Sequence, residues 1–210
     1  DTDQWEYTDV EIENLRNAFE TTWPQAIGDM TAGRVAFENH TVVSDEPVTS
    51  LGYGGDMIEP ENVPGWETLE SPTAPHDSIY VTTPRPQYAI WTLSRMTENP
   101  VAVWVSFGYE TEFDADGSNI AGWHWGFIST MGEMFYRDVM GLENVPEMEE
   151  AEQFGYAEGQ EGIPFWGAWY RDYINRNIRD ENNAAWGLGE PAWQLGTLRD
   201  WAAESAATSL

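Results

Sequence analysis

Apolar residues recur along this chain with two different periods. Ile12, Leu15, Phe19 and Trp23 follow three- and four-residue spacing, which predicts one face of an amphipathic helix. The preceding Thr8-Asp-Val-Glu11 is a capping-box pattern, Tyr7 and Ile12 are placed for a hydrophobic staple, and Pro24 predicts the end of the helix. A second helix is expected from Thr130, where Thr130-Met-Gly-Glu133 repeats the capping box and Met131, Phe135 and Val139 share a face before Gly141. A third, from Pro164 to Asn183, organises the rest of the chain: Trp166, Tyr170, Tyr173, Ile174 and Ile178 give it a broad aromatic-aliphatic face. A last helix begins near Pro191 and uses Leu195, Leu198 and Trp201.

Between these stretches the period falls to two. Arg34–Val43 has a β-like texture. Ser78–Thr82, Gln87–Arg95 and Val101–Tyr109 carry Val, Ile, Tyr, Trp and Thr between Pro-bearing turns, and Gly122–Ile128 is a fourth candidate strand in this central region. Val101, Val103, Val105, Phe107 and Tyr109 form a face heavy enough to lie against a second sheet. The expected fold is mainly β, an antiparallel β-sandwich or jelly roll with several peripheral helices; an α+β arrangement is the alternative. Residues 1–210 are expected to form one domain, with 44–77, rich in Pro and Gly, as a projecting loop insertion. Residues 147–162 read as an acidic, Gly-rich linker, and no internal repeat is present.

Charge changes the picture most. The chain has 37 acidic residues against 9 basic ones, a net charge of −28, and all nine cations are Arg. Self-repulsion on that scale strains a compact state in ordinary buffer. At 1 M salt the Debye length falls to about 3 Å, and the same surface becomes tolerable. The composition resembles that of proteins from extreme halophiles, haloarchaea above all. The 12 Trp and 14% aromatic content argue for a folded core, because disordered chains are poor in aromatics. No basic patch exists to neutralise phosphates, so direct nucleic-acid binding is not expected. No run approaches the roughly 20 apolar residues of a membrane span, and zero cysteines exclude disulfides and thiol chemistry.

Candidate chemistry is sparse. Asp114 and Asp116, with Ser118 and Asn119 around Gly117, resemble a short Ca²⁺ loop without its distal bidentate Glu; Asp-Gly between two β runs is also a hairpin signal. A weakly bound Ca, Mg or Na ion is the only cofactor the sequence suggests. His40, His76 and His124 stand far apart and match no zinc-hydrolase spacing. The many carboxylate pairs give no reason to prefer one as an acid/base couple. Lysine chemistry, nucleophile elbows and phosphate-cradling loops are missing. The expectation is therefore a protein that is not an enzyme. Asn39-His-Thr41 is a glycosylation acceptor pattern that is usable only if exposed.

What remains is the Pro164–Asn183 stretch, which holds Arg171, Arg176 and Arg179, a third of the cations. Trp, Tyr and Arg dominate buried subunit contacts, and Arg bridges carboxylates bidentately. Trp166, Trp169, Tyr170, Arg171, Arg176 and Arg179 are accordingly candidate interface residues; filling of the chain's own core is the other reading. Ile163-Pro-Phe-Trp-Gly-Ala-Trp-Tyr-Arg-Asp-Tyr-Ile-Asn-Arg-Asn177 resembles aromatic Tyr-Arg-Asp/Asn segments in jelly-roll capsid proteins of small icosahedral phages. Joined to the halophile signature, the whole resembles a single jelly-roll major capsid protein of a haloarchaeal icosahedral virus with an internal membrane. The resemblance implies a β-barrel upright in the shell and oligomeric capsomers. It also implies contacts with copies of itself and other capsid subunits, outer loops such as 44–77 or 110–120, and residence in the virion. The alternatives are a β-sandwich protein of the haloarchaeal surface or exterior that binds a sugar or an ion, and an acid/base hydrolase with unassigned carboxylates.

Overall fold

The computed structural model describes residues 6–47, 62–69, 79–82, 95–96, 103–107, 126–156, 165–197 and 200. Helix takes up 53% of these residues, which overturns the mainly β expectation and the jelly roll with it. Six helices are labelled: α1 (Asp9–Asn17), α2 (Trp23–Met30), α3 (Trp66–Leu69), α4 (Ile128–Val139), α5 (Phe165–Ile174) and α6 (Gly189–Gln194). The strands are β1 (Ile79–Thr82), β2 (Arg95–Met96), β3 (Val103–Phe107), β4 (Ile178–Arg179) and β5 (Ala185–Trp186). The first three form one sheet in the order β1-β3-β2, and the last two a hairpin. β1 pairs with β3 in parallel, Ile79 opposite Trp104 and Thr82 opposite Phe107. A jelly roll is built from antiparallel neighbours, so this pairing alone departs from it.

The first helix begins as its sequence dictates. Thr8 Oγ1 accepts from the Glu11 N–H at 3.3 Å, and the Glu11 carboxylate accepts from the Thr8 N–H at 2.7 Å. It does not stop at Pro24. A π-wound turn, Ala18–Thr22, joins α1 to α2, and the Trp23 N–H bonds to Ala18 O. In that winding the Phe19 carbonyl is matched to the N–H of residue 24, which proline does not possess. Asn39 supplies the donor instead, its Nδ2 lying 2.8 Å from Phe19 O. Proline is thus accommodated at a register change, where an ordinary helical turn would break.

Residues 35–45 form no strand, contrary to the β texture of Arg34–Val43. They run against the helix, and Phe37 packs on Trp23 (5.0 Å between ring centroids) and on Phe127 (4.9 Å). Trp23, wholly buried, also meets Tyr80 of β1 at 5.1 Å. One aromatic cluster therefore fastens the first helix, the 35–45 segment, the sheet and the start of α4 together. The Gly122–Ile128 candidate is corrected too: its described part, from residue 126, is already helical. α4 is π-wound over twelve residues, and its capping-box reading fails because Thr130 lies inside it. The Thr130 hydroxyl instead donates back to Gly126 O at 2.7 Å. Met131 and Phe135 are buried as expected, but Val139 is exposed. The acidic linker of 147–162 contains a 3₁₀ segment, Met148–Phe154, opened by a Glu147/Glu150 capping box. Within 44–77, α3 buries Trp66; most of that insertion lies outside the described residues.

The main core is where α1, α2, α4, α5 and α6 meet. Trp169, Tyr173, Ile174, Ile178 and Leu188 are wholly buried there. Each such side chain contributes about 1.5–3 kcal/mol by leaving water, so the aromatic face of α5 is a principal source of stability.

Candidate functional site

The arginine-bearing stretch is helical only to Ile174, so Ile178 is buried as a β4 residue and does not continue the helix. The chain stops α5 with a Schellman turn. The Asn177 N–H reaches Asp172 O at 2.8 Å, the Arg176 N–H reaches Tyr173 O at 3.2 Å, and Arg176 takes the left-handed position with φ +59. Glycine usually fills that place, because a Cβ costs about 1 kcal/mol or more there. What offsets the strain is the Arg176 guanidinium. Its Nη1 donates to Gly187 O at 2.5 Å and its Nη2 to Glu143 O at 3.1 Å. Desolvation lowers its pKa from the ordinary arginine value.

Arg176 thereby ties three chain segments together, and the backbone around it is fitted as closely. The Leu188 N–H donates to Tyr173 O and the Gly187 N–H to Asn144 O, each at 2.8 Å. Gly187 has φ +112, and a Cβ there would overlap the Tyr173 carbonyl oxygen. On its other side, the Tyr173 hydroxyl donates to Pro146 O at 3.0 Å, and Gly132 of α4 leaves room for the ring. Burial pushes the Tyr173 hydroxyl well above the usual tyrosine range. Tyr173 is the hub on which α4, α5 and the approach to α6 close.

The flanking polar groups have local work. Arg171 Nε bonds to Asp172 Oδ1 at 3.1 Å, and the same carboxylate accepts from the Tyr156 hydroxyl at 2.8 Å. Burial and then that hydrogen bond raise the Tyr156 pKa. Asp180 closes the β4–β5 hairpin: its carboxylate accepts from the Ala184 N–H (2.8 Å), the Asn182 N–H (2.9 Å) and Trp186 Nε1 (3.2 Å). The Ala184 hydrogen bond is the main reason its pKa lies below the usual aspartate value.

Of the six candidate interface residues, Trp169 and Tyr170 turn into the chain's own core, at 0% and 2% exposure. Arg176 is half-buried on carbonyls, whereas Arg171 and Arg179 are exposed. Trp166 lies on α5. Asn39 is half-buried, and its amide nitrogen, the atom a glycan would take, is the donor to Phe19 O. Asp114, Asp116 and His124 fall outside the described residues. Among the described residues, no group of three His, Asp or Glu side chains could hold a metal ion. An open cleft of about 600 Å³ lies beside Arg176, lined by Met140, Leu142, Glu143, Pro191 and Leu195 among others. It presents one committed guanidinium, one carboxylate, the Gln194 amide and apolar side chains. That set can anchor structure or cover a small apolar surface.

The sequence reading missed three features here. The Asp180 hairpin had a usable signal, since Asp-Glu-Asn-Asn is turn-forming composition between Ile178-Arg179 and Ala184-Ala-Trp186. Gly132 and Gly187 had none, because a single glycine does not reveal which ring or carbonyl approaches it. Comparison of the chain with protein-family models, with curated protein sequences and with solved structures finds no match.

Proposed function

We propose that this protein is a structural subunit, not an enzyme, that assembles with copies of itself or with other subunits in concentrated salt. The shell of a haloarchaeal virus is the setting suggested by the Tyr-Arg-Asp stretch, here without a jelly-roll barrel. The observation that carries the reading is the division of labour among the three clustered arginines. Arg176 is spent inside the fold and Arg171 is paired with Asp172 of its own chain, but Arg179 remains exposed on a chain whose net charge is −28. Such cations are scarce on this surface and find carboxylates on any neighbouring copy, and a pair that becomes partly buried on contact is screened little by salt.

Light scattering in about 2–4 M salt, where the Debye length is below about 3 Å, tests the proposal. Assembly that grows with protein concentration and weakens in an Arg179→Glu variant of unchanged melting temperature is the expected result. A particle that stays monomeric across the whole concentration range would overturn it. Saturable quenching of tryptophan fluorescence by sugars in such a monomer would favour a surface binding protein instead.

A further inference from the structure

Residues 35–42 have the burial pattern of a strand, with no strand paired to them among the described residues. Val35, Phe37, Asn39 and Thr41 are half-buried, while Ala36, Glu38, His40 and Val42 are exposed, the alternation of an extended chain. Between Phe37 and Asn39 the contact moves from Trp23 to Phe19, one helical turn, the distance two extended residues span. In extended chain the N–H and C=O groups of alternate residues address the same edge. The Thr41 N–H is turned toward the first helix, 2.6 Å from Glu20 Oε1. The odd-numbered residues thus address the helix, and residues 36, 38, 40 and 42 address the opposite edge. Those four residues form no backbone–backbone hydrogen bond among the described residues.

We infer that this edge is an interface between two copies of the chain, which pair residues 36–42 antiparallel about Asn39. The inference rests on the assembly proposed above and names one of its surfaces. In that register Glu38 of one copy faces His40 of the other, and Ala36 faces Val42. Unlike groups meet at every outward position: a carboxylate with an imidazole, and a small methyl with Val42, which is 76% exposed in the single chain. Glu38 and His40 lie 3.4 Å apart along one chain, at 89% and 77% side-chain exposure, so both reach an added strand without unpacking anything. The pairing is self-complementary, as a two-fold interface requires, and supplies partners for backbone groups on an edge that is open among the described residues. A register about Ala36 would set Arg34 against Glu38 but span only residues 34–38. Arg34 is moreover held back by its Nε bond to Thr31 O at 3.2 Å.

The chain has no cysteine, which makes cross-linking unambiguous. A Glu38→Cys/His40→Cys double variant, oxidised mildly in high salt, is expected to give disulfide dimers on a non-reducing gel, since opposed Cα atoms of an antiparallel pair lie about 5.5 Å apart, within the span of a disulfide. Ala36→Cys alone is expected to remain uncross-linked; a dimer through residue 36 would overturn the register. Ala36→Pro removes an N–H from the open edge and none from a described backbone bond, so association should weaken at least about tenfold with the melting temperature kept. If the unaltered chain assembles but the double-cysteine variant yields no 38–40 cross-link, or if Ala36→Pro assembles normally, the strand interface is overturned and the assembly reading stands. If the unaltered chain stays monomeric throughout, both fall.

Discussion

Replacement of Arg176 by Glu separates a folding role from a docking role. The guanidinium makes two hydrogen bonds to backbone carbonyls, one part-buried to Gly187 and one exposed to Glu143. A bond from a charged group is worth about 1.5–3 kcal/mol when sheltered and about half that in water's reach. Their loss therefore costs about 2.5 kcal/mol. A carboxylate set beside the same carbonyl oxygens raises the total to about 3 kcal/mol by repulsion. At about 2–4 °C per kcal/mol for a chain of this size, the melting temperature should fall by about 6–12 °C. Arg176→Gly loses the same bonds but releases the φ +59 strain, and should recover about 1 kcal/mol of that loss. Thermal unfolding in high salt, followed by tryptophan fluorescence, gives both numbers. A Glu variant that melts with the unaltered protein and loses only its assembly would refute the argument, for it would place the side chain on a neighbour.

Three further outcomes follow from the same geometry. Gly187→Ala puts a Cβ into the Tyr173 carbonyl at φ +112, and should destabilise the fold by about 3 kcal/mol or more in denaturant titration; a loss below about 1 kcal/mol would show that the loop can shift away. Asn39→Ala leaves Phe19 O without its side-chain donor, and about 1–2 kcal/mol should be lost. Asn39→Asp should do no better, since a carboxylate offers a carbonyl no donor; rescue by Asp would count against the argument. For Asp180 the sign is set by its lowered pKa: its contribution is complete above the unfolded aspartate value of about 3.9 and is lost as pH falls through the lower folded value. Melting temperature plotted against pH should lose part of its acid slope in Asp180→Asn, and an unchanged slope would remove Asp180 from the account.

Local signals were legible where one segment settles its own conformation. The Thr8/Glu11 box starts α1 because both partners lie within one turn; the spacing also gives α5 an aromatic face, but only the fold turns Trp169, Tyr170 and Tyr173 inward and not toward a neighbour. The acidic, lysine-free composition needs no fold to be read. Failures came where a distant segment decided. Arg34–Val43 has strand composition, yet it lies against a helix and pairs with no strand among the described residues, because Trp23 and Phe19 present a ring and a carbonyl that Pro24 cannot serve to Phe37 and Asn39. Pro24 reads as a stop, but the π-wound turn before it moves the missing donor to a place Asn39 can serve. The Pro164–Asn183 stretch divides the same way. Its helix, aromatic face and cluster of arginines were in the sequence. That Arg176 would end the helix in a left-handed turn, and hold the carbonyls of Gly187 and Glu143, depended on chain eleven and thirty-three residues away. Periodicity records what a residue does to its near neighbours; only packing determines which distant carbonyl a cation meets.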